Sequence, residues 1–423
     1  MHGRSDGAGA HEVFGYRGGE LHCESVPLRE LADRHGTPLY VYSEQAIRTR
    51  FERLRRAFGP SARICFSVKS NGNLSILRLL AELGSGFDIV SGGELERLIA
   101  AGVDPSSAVF AGVAKESWEI DRALAAGISW FNVESLQEIP LLSRAGASAG
   151  RHVPVALRLN PDIDAGTHGY LTTGLEATKF GLDMAEAGEA ARTIARDEHL
   201  ELRGYHVHLG SQIRTVDPYL SAFDRFERFL LEAPVRREGA VFYDLGGGFA
   251  IGEGEEPALD VEALADALLP RLDRLGLRPI LEPGRYLVAE AGALLTRVLG
   301  RKERGGKRFV LIDAGMNDLI RPALYGAEHP IVPAALGESP REVVDVVGPI
   351  CESGDFLARS RELPRAEPGD LLAVLAAGAY GASMASNYNS RRRPAEVLVR
   401  GSESRLIRRR EDLERLWSDE VLP

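Results

Sequence analysis

From about residue 44 to Leu287 the chain alternates two kinds of apolar pattern. Short runs rich in β-branched and aromatic residues are separated by longer segments, such as SILRLLAELG and ELERLIAAG, whose apolar positions recur at the helical period. Eight short runs stand out: ICFSVK (64–69), FDIV (87–90), AVFA (108–111), WFNV (130–133), VPVALRL (153–159), GYHVH (204–208), VFYDL (241–245) and RPILE (278–282). Strands separated in this way by helix-length segments predict a (β/α)8 barrel of the TIM type, with a doubly wound open sheet as the alternative. No sequence repeat accompanies the rhythm.

Beyond Leu287 the texture changes to strands without long helices: LLTRVLG, RFVLIDA, EVVDVVGPI, DLLAVLAA and AEVLVRG. This predicts an all-β domain of sandwich or barrel-like form, built from the C-terminal part and N-terminal strands such as PLYVYS (38–43). The expected domains are therefore 44–287 for the barrel, and 1–43 with 288–423 for the β part. Gly305-Gly306 supplies a tight turn between two strands, and the proline-rich piece Glu328 to Pro340 reads as a loop.

Composition narrows the function. The 423 residues are 44% hydrophobic and 26% charged, ordinary for a soluble globular protein. A formal net charge of −10 argues against a nucleic-acid or anionic-membrane partner, whose binder would be basic. The arginine runs 391–393 and 408–410 are short and read as solvated faces. Three scattered cysteines, Cys23, Cys65 and Cys351, make neither a disulfide framework nor a zinc site and fit a reducing cytoplasm. The opening MHGRSDGAGAHE has no apolar core of a secretory signal, and the apolar stretch near Leu371 to Ala379 is too short to span a bilayer.

The polar residues fall where a barrel keeps its chemistry, at the C-terminal ends of the strands. Strand one ends in Lys69, an ammonium group whose burial is costly unless its charge is paired, lost or used. Strand two leads to Asp88 and SGGE, strand five carries Arg158 and Asn160, strand six ends in HVHLGS, strand seven runs into DLGGG, and strand eight ends in EPGR. Gly246, Gly247 and Gly248 let backbone approach a phosphate closely, with Ser211 as a further donor, although the spacing is neither a P-loop nor a Rossmann fingerprint. His206 and His208 share one face by alternation. A zinc site with Glu282 as third ligand, a ring stacked on a planar cofactor, and a core histidine all stay open on spacing alone. A lysine, a phosphate cradle and a carboxylate on one rim are the parts pyridoxal 5′-phosphate needs: an amine for the Schiff base, an anchor for the phosphate and an anionic partner for the pyridine nitrogen. No metal is called for.

At this point the motifs SVKSN, GFDIVSGGEL, HVHLGSQI, DLGGGF, EPGR, MNDLIRPALYGAEHP, GPICESGD and GAYGASMASNYNSR, in that order, resemble the diaminopimelate decarboxylases, a group of barrel-type pyridoxal-phosphate enzymes. The resemblance covers nearly the whole chain. It implies that Lys69 carries the cofactor as a Schiff base, that His208 stacks on its ring, and that Asp88 and Gly284 belong to the same cofactor set. It places Ser211 and Gly246 to Gly248 around the phosphate, and Glu282 against the pyridine nitrogen. Arg285 is implied at both cofactor and a substrate carboxylate, Arg321 and Tyr325 at substrate, and Tyr380 at both. Cys351 and Glu352 are implied to enter the site from the other subunit of a homodimer. Where Ser67 and Ser70 flank the lysine, the family often has alanine, which at most retunes its surroundings.

The implied reaction is decarboxylation of meso-2,6-diaminopimelate to L-lysine and CO2, the last step of lysine biosynthesis, with Cys351 as candidate proton donor. Arg285 and Arg321 suit a carboxylate and Glu352 a distal ammonium, which favours a diamino diacid over a simple diamine precursor. The alternatives are a sibling decarboxylase of ornithine, arginine or carboxynorspermidine, and a catalytically silent regulatory homologue. A racemase is disfavoured by Glu282, since racemases on related barrels typically place an arginine at the pyridine nitrogen.

Overall fold

The computed structural model describes residues 13–163, 179–232, 241–252 and 256–423; the opening segment read above for a secretory signal lies outside the described residues. The chain divides into two compact units, Met1–Thr49 with Leu287–Pro423, and Arg50–Tyr286.

The first unit begins with a small antiparallel sheet, β1 (Phe14–Arg17), β2 (Glu20–Cys23) and β3 (Val26–Pro27), then helix α1 (Leu28–His35) and strand β4 (Leu39–Ser43). Helix α2 (Glu44–Phe58) leads into the second unit. There the eight runs form β5 (Arg63–Ser67), β6 (Gly86–Ile89), β7 (Ala108–Phe110), β8 (Trp130–Val133), β9 (Val153–Leu159), β10 (Leu200–Val207), β11 (Phe242–Asp244) and β12 (Arg278–Leu281). All are parallel, and β12 closes on β5 through Ile280↔Arg63 and Leu281↔Ile64, so the sheet is a closed barrel and not the open alternative. Among the described residues the helices between them are α3 (Leu74–Glu82), α4 (Gly92–Ala100), α5 (Ser117–Ala126), α6 (Glu138–Ala149), α7 (Met184–Ile194), α8 (Asp217–Glu232) and α9 (Val261–Leu275). Asn73 starts α3 by accepting from Ser75 N at 3.0 Å, and Ser91 starts α4 by accepting from Glu94 N at 3.2 Å.

Period-two alternation sorts the barrel interior into layers. Cys65, Val109, Trp130, Ala156, Phe242 and Ile280 form one apolar layer, with the Trp130 and Phe242 rings 4.4 Å apart. Two residues further along five of those strands stand Ser67, Asn132, Arg158, Asp244 and Glu282, all buried. Asp88 and His206 join them from β6 and β10. The apolar floor therefore carries a polar layer at the strand ends.

One expectation needs correction here. The first strand stops at Ser67, and Lys69 sits in a 3-10 turn, Val68–Ser70, with its side chain 38% exposed. The turn is held by Asn71 N donating to Val68 O and by Ser70 Oγ donating to Ser67 O at 2.8 Å. Lys69 is thus neither part of the strand nor fully desolvated.

The chain then makes a helical turn, α10 (Arg285–Val288), and builds the rest of the β unit: β13 (Gly292–Arg304), β14 (Lys307–Ile312), α11 (Arg321–Tyr325), β15 (Ile331–Pro333), β16 (Arg341–Val347), β17 (Phe356–Pro364), β18 (Leu371–Val374), β19 (Ala395–Arg400) and β20 (Glu403–Arg408). These strands and β4 form one branched nine-stranded sheet, β17-β16-β14-β13-β4-β19-β20, with β18 pairing β13 and β15. Gly305 and Gly306 join β13 to β14 as a two-residue turn, with φ of 58° and 75°, the left-handed pair such a turn requires. The piece Glu328 to Pro340 is not wholly loop, because Ile331–Pro333 pairs with β18. Three residues flanked by prolines give no alternation to read. No helix among the described residues is long and apolar enough to cross a membrane.

Candidate active site

The barrel rim is assembled from strand ends and the turns that follow them. Lys69 Nζ lies 3.2 Å from Asp88 Oδ2, an ion pair between an exposed amine and a carboxylate with no accessible surface. Ser67 Oγ reaches the same Asp88 oxygen at 2.8 Å and the Glu282 carbonyl at 3.1 Å, so Asp88 Oδ2 is shared by the serine and the lysine. Burial, then the charge of Glu282, pushes Asp88 up, and Lys69 pulls it back.

Glu282 Oε2 lies 3.1 Å from His206 Nε2, both groups buried. Burial alone would raise the Glu282 carboxyl, but His206, which bonds to it, and the charge of Lys69 more than offset that and hold the group well below the usual range. An ionised carboxylate only accepts, so His206 Nε2 carries the hydrogen. The neighbouring Asp244 is driven the other way: burial, then the charge of Glu282, pushes it well above the usual carboxylate range. Its Oδ1 accepts from Gly246 N at 2.9 Å. His208 Nδ1 accepts from Gly247 N at 3.2 Å, and burial followed by the charges of Lys69 and Arg158 drives the ring well below its ordinary value. His208 is therefore a neutral ring. His206, His208 and Glu282 keep their ligand atoms within 4.8 Å of one another, a spacing compatible with a metal, although His206 Nε2 is already bonded to Glu282 Oε2.

The glycine turn is tight against its neighbours. A Cβ on Gly247 would lie 2.2 Å from the Glu282 carbonyl oxygen, and one on Gly248, at φ +83°, would lie 2.4 Å from the Gly210 carbonyl oxygen. Ser211 Oγ accepts from Arg285 Nη2 at 3.3 Å, bringing two of the sequence-derived groups together, and Gly284 abuts Ser67 and Ser70 beside the lysine. Pyridoxal phosphate fits these residues on one observation above all. Glu282 is a buried, ionised carboxylate, and a buried anion calls for a cationic partner such as a protonated ring nitrogen.

Lys69, Asp88, His208, Ser211, Gly246, Gly247, Gly248, Glu282, Gly284 and Arg285 all belong to the barrel unit. The β unit holds the other five. Arg321 is buried at the start of α11 and Tyr325 half-buried at its end, while Tyr380 is half-buried at φ 54°. Cys351 and Glu352 are exposed, on a loop where Cys351 N donates to Asn389 Oδ1 at 2.9 Å. Cys23 and Cys65 are buried, and burial pushes both thiols up, leaving Cys351 as the accessible thiol of the three.

Two residues of the rim have roles that the sequence does not assign. Glu134, just past β8, pairs with Arg158 at 2.5 Å and accepts from Gly112 N and Gly181 N, both at 3.1 Å. Burial opposes its ionisation, but Arg158 and Lys115 more than offset that and lower its carboxyl. The Arg158 guanidinium also covers the Phe180 ring at 4.8 Å, and Asn160 Nδ2 donates to the Phe180 carbonyl at 3.1 Å, so both polar residues of strand five brace this corner. The second is Glu94 of SGGE, whose Oε2 accepts from Val90 N at 2.8 Å. Burial pushes Glu94 up to about 7 from an ordinary 4.5. In that window the folded chain holds a proton that the unfolded chain has released, so this group's contribution to stability falls as pH rises. Glu94→Gln keeps an oxygen for Val90 and removes the titration. The variant should gain stability relative to the wild type as pH rises through that window, read from denaturation midpoints at each end, and parallel pH profiles would refute the assignment.

Residues 44–289 match the family described as the pyridoxal binding domain of the pyridoxal-dependent decarboxylases. Over 404 residues the chain is 48% identical to a diaminopimelate decarboxylase of Neisseria meningitidis serogroup B, covering 95% of this chain and 97% of that one. Among solved structures it resembles the diaminopimelate decarboxylase of Helicobacter pylori complexed with L-lysine, at TM-score 0.89 and 41% identity over 92% of this chain and 98% of that one. It also resembles the lysine decarboxylase of Selenomonas ruminantium, at TM-score 0.80 and 27% identity over 90% and 97%.

Proposed function

The chain belongs to the diaminopimelate decarboxylases, a branch of the pyridoxal-dependent decarboxylases, and from that membership we infer its reaction. It is a carboxy-lyase that converts meso-2,6-diaminopimelate to L-lysine and CO2 with pyridoxal 5′-phosphate as cofactor, which is a step of lysine biosynthesis. The observation that supports the reading most is the rim itself, where a paired lysine, a buried ionised carboxylate and a close-packed glycine turn meet.

The residue assignments are our proposal. When bound, pyridoxal phosphate supplies the electron sink for the carbon–carboxylate bond that breaks. Lys69 is the amine that holds the cofactor between turnovers, and Asp88 keeps that amine in place. Glu282, anchored by His206, holds a proton on the ring nitrogen, and neutral His208 offers a flat face. Ser211, Arg285 and the Gly246 to Gly248 turn receive the phosphate, with Gly284 packed beside them. Arg285, Arg321, Tyr325 and Tyr380 bind substrate, the arginines suiting carboxylates and Glu352 the distal ammonium. Cys351 delivers the proton that replaces the lost carboxylate on the α-carbon. Cys351 and Glu352 act across a homodimer interface, and the enzyme works in the cytoplasm.

The test of the reaction is chiral amino-acid analysis after incubation with meso-diaminopimelate and pyridoxal phosphate. L-lysine is expected. Decarboxylation of ornithine, arginine or carboxynorspermidine in its place would overturn the substrate and keep the cofactor, and no product from any of them would favour a silent homologue.

A further inference from the structure

In the β unit, Arg321 Nη1 lies 3.1 Å from His329 Nε2, and His329 Nδ1 lies 3.0 Å from the carbonyl oxygen of Leu375. All of this is buried: Arg321 is 6% exposed and His329 1%. A guanidinium only donates and a carbonyl only accepts. His329 must therefore carry its proton on Nδ1 and turn the Nε2 lone pair toward Arg321, a neutral ring in one tautomer with both nitrogens used. The backbone around it is fixed as well, since Leu375 N donates to Pro330 O at 2.8 Å and Gly326 N donates to Pro322 O at 3.1 Å.

We propose that His329 is a positioning residue for substrate binding: bridging the Leu375 carbonyl to Arg321 Nη1, it fixes the plane and direction of the guanidinium. The inference rests on the assignment of Arg321 to a substrate carboxylate. A bidentate grip on a carboxylate needs two N–H groups presented side by side, and a long side chain loses that geometry through its many rotamers. An acceptor held rigidly on one Nη removes those rotamers before substrate arrives, which lowers the entropic cost of binding. The bridge touches no reacting atom, so its effect belongs in KM and not in kcat.

The two ring nitrogens can be tested separately. In H329N the amide nitrogen takes the place of Nδ1, keeping the Leu375 bond and losing the acceptor for Arg321. In H329Q the side-chain oxygen takes the place of Nε2 and keeps Arg321 bonded. With the full chain loaded with pyridoxal phosphate, H329N should raise KM for meso-diaminopimelate about tenfold, the worth of a hydrogen bond to a charged group, with kcat within about twofold. H329Q, which keeps the acceptor for Arg321 but loses its tether to Leu375, should raise KM by less than H329N does. If H329N does not fold, H329L, of similar volume and with neither bond, gives the same reading. Equal KM values for H329N and H329Q, or a loss confined to kcat, would overturn the proposal. R321K separates the two layers. If R321K raises KM while H329N does not, only the role of His329 falls; if R321K leaves KM unchanged, the assignment of Arg321 falls and takes this inference with it.

Discussion

Lys69→Ala should lower kcat by at least about 10^3-fold, because it removes the nucleophilic amine and not merely a contact. The fold should survive. The side chain is 38% exposed and leaves no cavity in the core, while Asp88, already pushed up by burial, can take a proton in place of its lost partner. The check is turnover of meso-diaminopimelate beside a thermal melt; a folded K69A retaining a tenth of the activity would sink the role of Lys69. The same variant tests the homodimer. Mixed in equal amounts with Cys351→Ala and allowed to exchange subunits, it should regain about a quarter of the wild-type sites, since half the dimers pair one of each chain and each such dimer rebuilds one site of two. Failure of exchanged mixtures to regain activity would show that Cys351 is not shared between subunits.

Glu282→Gln should cost about 10^2- to 10^3-fold in kcat with a much smaller change in KM. Glutamine keeps the shape and can still accept from His206 Nε2, now 3.1 Å from Glu282 Oε2, so the substitution isolates the charge. The charge is what the surroundings protect. His206 and Lys69 together overcome burial to keep the carboxyl ionised, and a neutral amide cannot hold a proton on a ring nitrogen. Steady-state kinetics with cofactor in excess decide the matter: a fall of less than about fivefold would mean the anion at this position is structural.

The barrel was legible because its strands are buried on both faces and so read as continuous apolar runs, and all eight runs became its strands. The β unit was read less completely. β17 and β20 lie at the two ends of the sheet path and carry sequences such as FLARSRELP and ESRLIR, where exposed and half-buried positions break the alternation. The polar layer could be anticipated, since Asp244 and Glu282 each follow an apolar inward residue by two positions, the period of a strand. The burial of Lys69 was overestimated because nothing in CFSVKSN shows that a 3-10 turn ends the strand two residues early. His329 and Glu134 were beyond reach for another reason: Leu375 lies 46 residues from the first and Arg158 lies 24 from the second, and only the fold makes them neighbours.

Glu134 has an evolutionary consequence. Its carboxylate, 2% exposed at the side chain, serves Arg158 and the amides of Gly112 and Gly181 at once. Losing Arg158 alone would take the nearest cation from a buried anion, and losing Glu134 alone would strand a buried cation and two amides, while an apolar pair would still leave those amides without an acceptor. Descent through single substitutions should therefore rarely lose either residue, and the two positions should be kept together across homologous chains.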